Sequence, residues 1–180
     1  MKTAIINSDS YEKHNTGDGH PEQPKRVIAI KEKLKKRKDL IWDKPDNVPD
    51  DILSMTHSKD YINNLKDSFP QKGLKFLDGD TVVSPESKKA VFDAAGSTIR
   101  AIDGIESNQF KNAFCLARPP GHHAEKNKAM GFCCISNAGI ATNYLMSKYK
   151  YKRIACVDFD VHWGNGNYDA VSYTHLRAHE

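Results

Sequence analysis

Two acids and an imidazole occupy alternate positions in the run from Arg153 to Gly166, RIACVDFDVHWGNG: Asp158, Asp160 and His162. Carboxylate oxygen and imidazole nitrogen suit zinc or iron, and a catalytic site takes three protein ligands with one position left open. The same triplet can also make a salt-bridged loop with a structural histidine, and a short motif does not separate the two. A second group lies at RPPGHHA, residues 118 to 124. Two prolines and a glycine stiffen the chain and turn it, presenting His122 and His123 side by side. Beside a Lewis-acidic metal, paired imidazoles suit hydrolysis. One takes a proton from water and returns it to the leaving amine while the other stabilises developing charge. Asp158 is the natural partner for one ring. Asn165, lacking a charge, would hold the other without raising its basicity so much. A surface His-His pair in a turn is the ordinary alternative.

Strands and helices must bring these groups together. Ile154 to Val157 has the composition of a strand buried on both faces, and period-two alternation would then project Asp158, Asp160 and His162 from one side. Gly164-Asn165-Gly166 breaks it. TAIIN (residues 3 to 7) and AFCLA (113 to 117) read as further short strands. Helices are expected from Lys25-Arg26 to about Arg37, from Ser58, a capping residue, through Leu65, and approximately from Ser136 to Met146. A long helix opening at Ser84 carries a broad face of small residues: Ala90, Val91, Ala94, Ala95, Thr98, Ile99 and Ile102. His57, just ahead of the second helix, reads as a structural hydrogen-bonder. Short apolar strands alternating with helices predict an α/β architecture with a parallel sheet, whose ligand sites lie beyond the carboxyl ends of the strands. Both polar groups fall at such ends.

Composition narrows the classes. Apolar residues make 38% of the 180 and charged residues 28%, as in a globular protein, with no apolar run long enough to cross a bilayer and no secretory leader. Formal net charge is +4, much of it from KEKLKKRK (31 to 38). Val27, Ile30 and Leu34 fall at helical spacing there, so the lysines form a wet helix face. No aromatics interleave with them, and nucleic acid is not an expected partner. Cys115, Cys133, Cys134 and Cys156 form no CxxC and read as reduced core thiols of a cytoplasmic protein. A homo-oligomer is compatible with this composition.

Five motifs in order, HPEQPKR (20 to 26), RPPGHHA (118 to 124), GFC (131 to 133), Asn137 and VDFDVHWGNG (157 to 166), resemble the zinc-dependent histone deacetylase family, which includes acetylpolyamine amidohydrolases and acetoin-utilisation proteins. The GNG ending looks more like the class II and amidohydrolase branch. The resemblance implies an arginase/deacetylase-type three-layer α/β sandwich with a mainly parallel sheet, of which residues 1 to 170 form the N-terminal portion. It implies an acyl-lysine or acetylated-polyamine substrate, small molecule or peptide, and no membrane partner. Position by position it implies Asp160 and His162 as ligands of zinc, with iron as the alternative, and His123 as general base and acid. His122 becomes the electrostatic partner held by Asp158. Phe132 forms a wall of the acyl-lysine tunnel beside Gly131, Arg26 stands near the acetate pocket, and Asp80 corresponds to a substrate-gripping rim acid. Asp160 and the carbonyls of Asp158 and His162 match a potassium site.

The sequence also departs from the family. Trp163 replaces the second His of the usual HHG. A third ligand, a later Asp, and a transition-state Tyr have no counterpart, and residues 171 to 180 (VSYTHLRAHE) read as a foreign tail. His175 and His179 have helical spacing but no supporting site. The alternative to an active hydrolase is therefore a truncated, inactive fragment or binding module. A dinucleotide-binding unit fails because Asp169 stands where the fingerprint needs its third glycine.

Overall fold

The computed structural model describes residues 2 to 172. In chain order its elements are β1 (Thr3–Ile6), the single turn α1 (Ser10–Lys13), α2 (Lys25–Leu34), β2 (Leu40–Asp43), α3 (Asp50–Leu53) and α4 (Lys59–Ser68). The hairpin β3 (Lys75–Phe76) and β4 (Val82–Val83) follows, then α5 (Ser87–Glu106), β5 (Asn112–Cys115), α6 (Asn137–Lys148) and α7 (Asn165–Ser172). The main sheet is parallel with order β2-β1-β5; β3 and β4 pair antiparallel.

Period-two alternation explains why β1 sits at the centre. Ala4 and Ile6 bury against Ala101 and Phe110 on one face, while Ile5 buries with Tyr11, Val27, Ala90 and Ala94 on the other. A central strand covered on both faces is what a three-layer α/β arrangement requires. Helix α5 carries the expected small-residue face and packs closely on its neighbours through it. Ser58 caps α4 as expected, accepting the Tyr61 amide at 3.2 Å, and Ser136 caps α6 in the same way, accepting the Gly139 amide at 3.3 Å. His57 is buried, with Nδ1 facing the Glu125 carbonyl at 3.0 Å and Nε2 accepting from the Ser136 amide at 3.0 Å. It is the structural hydrogen-bonder the sequence predicts. Strand β2, the hairpin and α7 are elements that the sequence pattern does not reveal.

The strand expected from Arg153 is not formed. Residues 153 to 162 have no strand partner, and Val157, Phe159 and Val161 are 82%, 96% and 92% exposed. A buried strand needs neighbours, and among the described residues the sheet ends at β5. The carboxylates of Asp158 and Asp160 instead accept the backbone amides of Asp160 and His162, at 3.1 and 2.9 Å, folding the segment on itself. For the same reason Cys156 is exposed, not a core thiol. The other three thiols match expectation better. All are free, and burial pushes Cys115 and Cys133 up to about 12, where a thiol is inert. His175, His179 and most of the 171 to 180 tail lie outside the described residues.

One fully buried polar cluster joins the loop after α1 to the loop after β5. Arg118, 2% exposed, donates from Nε and Nη2 to the two oxygens of Glu22, at 2.5 and 2.7 Å, and from Nη1 to the Tyr11 carbonyl. His14 Nε2 lies 3.4 Å from Glu22, and its Nδ1 meets the Ser87 hydroxyl at 2.6 Å. Burial alone would raise the Glu22 carboxyl, but His14 and Arg118 outweigh it and bring it down to about 2. Burial holds the His14 and His57 rings below the ordinary histidine value.

These shifts predict acid lability. Below the ordinary histidine value of 6.5 the unfolded chain takes up protons that the buried rings refuse. From the ordinary 4.5 of a glutamate down to about 2, it protonates a carboxyl that the fold keeps ionised. In both windows the unfolded state binds more protons, so stability falls as pH falls. Thermal unfolding followed from pH 8 to pH 3 is expected to show a midpoint that drops from about pH 6.5 downward; a midpoint that rises on acidification would contradict this.

Candidate active site

The polypeptide leaves β5 through Leu116 and Ala117, is pinned by Arg118, and turns at Gly121 to present His122 and His123 beyond the carboxyl end of the sheet. Their ring centroids lie 4.0 Å apart. Each ring has its own holder on the segment that follows residue 157. His122 Nδ1 meets Asp158 Oδ2 at 3.1 Å, and Asn167 Nδ2 donates to the same oxygen at 2.9 Å. His123 Nδ1 meets Asn165 Oδ1 at 2.7 Å. The amide nitrogen of Asn165 donates to the His123 carbonyl at 3.2 Å and to Glu125 Oε1 at 2.8 Å. Its oxygen is thus left as the acceptor, so His123 donates from Nδ1 and keeps the Nε2 lone pair for another proton.

Asp160 and His162 stand next to this pair. The His123 and His162 ring centroids are 6.0 Å apart. His162 Nδ1 lies 3.0 Å from Asp160 Oδ1, which also accepts the His162 amide; that amide and then the ring hold the Asp160 carboxyl below its ordinary value. Oxygen and nitrogen donors of this kind suit a divalent ion. At two, however, they fall one short of a catalytic zinc site. No group of three or more metal-binding side chains occurs among the described residues. The residues present therefore do not make a complete metal site.

Aromatic and glycine residues shape the approach to His123. Gly131 has φ +55°, and a Cβ there would lie 2.4 Å from His123 Cδ2. Only glycine lets the GFC turn pass so close to the ring. Phe132 follows with φ +68°, its amide donating to Thr81 Oγ1 at 3.1 Å. The ring of His20 meets Phe132 edge to face at 4.8 Å, and His20 Nε2 lies 3.1 Å from the Asp80 carbonyl. Asp80, Phe132 and Gly131 are therefore gathered on one rim. Arg26 is mostly exposed and faces Glu22 at 3.9 Å. At the far side a Cβ on Gly166 would lie 2.3 Å from the Ala124 carbonyl, so α7 starts hard against the histidine loop.

Gly131→Ala is expected to destabilise the fold by about 1–2 kcal/mol for the left-handed backbone alone, and to push the His123 ring from its place. Chemical denaturation measures the first effect, and the histidine resonances in NMR the second. An unchanged His123 signal would contradict the contact.

His20, Asn167, Glu125 and Thr81 also take part in this arrangement, and no motif in the sequence assigns them a role. Asn167 repeats the Asn165 side chain two residues on, in GNGN, and the carboxylate of Asp158 needs a second donor; that was the available signal. His20 and Thr81 act through contacts distant in sequence, which no local pattern announces.

Three comparisons bear on this arrangement. A family profile described as "Histone deacetylase domain" matches residues 20 to 176. An uncharacterized protein of Synechocystis sp. is 41% identical over 179 residues, covering 94% of this chain and 57% of its own length. Histone deacetylase 5 of Arabidopsis thaliana is 33% identical, covering 92% of this chain and 27% of its own, and a probable deacetylase of Archaeoglobus fulgidus is 30% identical, covering 92% and 47%. The crystal structure of the HDA15 HD domain superposes with a TM-score of 0.86 at 29% identity, over 94% of this chain and 50% of that one. The chain spans about half the length, or less, of the relatives it matches.

Proposed function

Because the chain belongs to the histone deacetylase family, we propose that its full gene product is a metal-dependent amide hydrolase removing acetyl groups from acetyl-lysine or acetylated polyamines. One observation carries the reading: two adjacent imidazoles are held by two different partners, the Asp158 carboxylate and the Asn165 amide. That asymmetry gives the rings different tasks. His123 Nε2 receives the proton of the attacking water and later gives it to the departing amine. His122, against a carboxylate, is the electrostatic partner for charge that develops on the amide oxygen. Phe132 lines the path of the acyl chain, with Asp80 at the rim to grip the substrate backbone or amine and Arg26 toward the acetate side. Asp160 and His162 would give a divalent ion, zinc in the first instance and iron as the alternative, two of its donors. Its Lewis acidity would act on the amide carbonyl. A potassium ion at Asp158, Asp160 and His162 and a cytoplasmic setting belong to the same proposal.

The test is acetate release by the full gene product from an acetyl-lysine peptide and, separately, from N-acetylspermidine. Release from either supports the reading and names the branch. No release from either, by folded protein supplied with zinc, overturns it. A second reading, a deacetylase-fold binding module without catalysis, draws on one fact: two metal donors, not three, stand among the described residues. Binding of the acetyl-lysine peptide without acetate release would favour it.

A further inference from the structure

At the carboxyl ends of β1 and β2 lies a cavity of about 640 Å³ whose lining shares no residue with the site described above. Crevices at this end of a parallel sheet are where α/β proteins take their ligands. Its floor is polar and fixed. Ser10, 4% exposed, and Ser8 each donate to Asp93 Oδ2 at 2.6 Å. Trp42 stands in the wall with 37% of its surface open.

Charge decides what such a cavity accepts. Its acids are mostly answered: Asp43 by Arg100 at 2.6 Å, Asp93 by Lys89 at 2.9 Å, and Asp9 at 3.2 Å by Lys31, which Glu12 shares at 2.5 Å. The ammonium groups of Lys13 and Lys44, by contrast, form no hydrogen bond or ion pair among the described residues, although both line the cavity. Both reach Asp9 electrostatically and add to the pull that Lys31 exerts on its carboxyl. Glu86 is the one acid of the lining left unanswered, against two such cations. An indole and two ammonium groups without hydrogen-bond partners, lining one cavity, fit a planar anion.

The geometry points to a second ligand site here, for a small anion carrying a flat ring, its phosphate or carboxylate held by Lys13 and Lys44 and its ring against Trp42. The assignment does not rest on the deacetylase reading. The 180-residue chain carrying Trp163→Phe leaves Trp42 as the sole indole, since the sequence has two tryptophans. Its fluorescence is titrated with adenosine 5′-monophosphate, benzoate, adenosine and inorganic phosphate. Saturable quenching by the monophosphate or by benzoate is expected, and which of them acts identifies the anion as phosphate or carboxylate. Adenosine and phosphate alone, and the Lys13→Gln/Lys44→Gln double variant with either ligand, are expected to bind about tenfold or more weakly. No saturable quenching by either anion would overturn the site. So would adenosine matching its monophosphate, or a double variant that binds unchanged.

Discussion

Replacing His123 by alanine in the full gene product is expected to lower acetate release by about 10²–10⁴-fold, the usual contribution of a positioned general base. The loss should fall on turnover, because Phe132 and Asp80, which shape the rim, do not lean on the His123 ring for their own hydrogen bonds. Two further variants separate His123 from its neighbour. Asn165→Leu keeps the imidazole but removes the acceptor 2.7 Å from Nδ1, together with the donor to the His123 carbonyl and Glu125, so the proton is no longer fixed on that nitrogen and turnover should fall. His122→Ala leaves the base in place and removes only the electrostatic partner, so its effect should be smaller than that of His123→Ala. Parallel measurement of kcat and KM for the three variants checks this ordering. A His123→Ala protein that keeps the parent rate would remove the base from the mechanism.

The second large effect is structural. Glu22→Gln leaves the Arg118 guanidinium buried at 2% exposure without its counter-charge, and breaking a buried pair from one side costs about 3–5 kcal/mol. That is a large share of what holds a domain of this size folded. Urea denaturation of the two proteins at pH 7 reads the difference directly. Glu22→Gln should also flatten the acid limb of the unfolding profile between pH 4.5 and about 2, because the carboxyl whose pKa the fold depresses is gone. A loss of stability under 1 kcal/mol, or an unchanged acid limb, would mean that the cluster is not the pin of the histidine loop. The geometry makes the consequence local: Arg118 stands four residues before His122, so a loosened guanidinium frees the segment that presents both rings.

How much of this was legible beforehand follows from the range of the interactions. The partners of the paired rings could be read because their chemistry is specific: one carboxylate and one amide stand near two imidazoles, and the structure pairs Asp158 with His122 and Asn165 with His123. The small-residue face of α5 could be read because helical spacing is a local property. The Glu22–Arg118 pair could not, since the two residues are 96 positions apart and each looks ordinary where it stands. Strand β2, Leu40–Asp43, has only four residues and no alternation to mark it, and it is held by its parallel pairing to β1. The apolar run at Ile154 to Val157 misled for a related reason. Burial on both faces is conferred by neighbouring strands, and composition alone does not supply them. Where carboxylates can satisfy their own backbone two residues on, as at Asp158 and Asp160, an unpaired segment takes that option.

The claim on which the rest depends is that His123 donates from Nδ1 to Asn165 and holds the Nε2 lone pair toward the reaction. Long-range ¹H–¹⁵N NMR of the histidine side chains in the 180-residue chain at pH 8 reads this tautomer without needing turnover. A proton on Nδ1 of His123 is expected, lost as a fixed tautomer in Asn165→Leu. A ring protonated on Nε2, or one that ignores the Asn165 substitution, would contradict it.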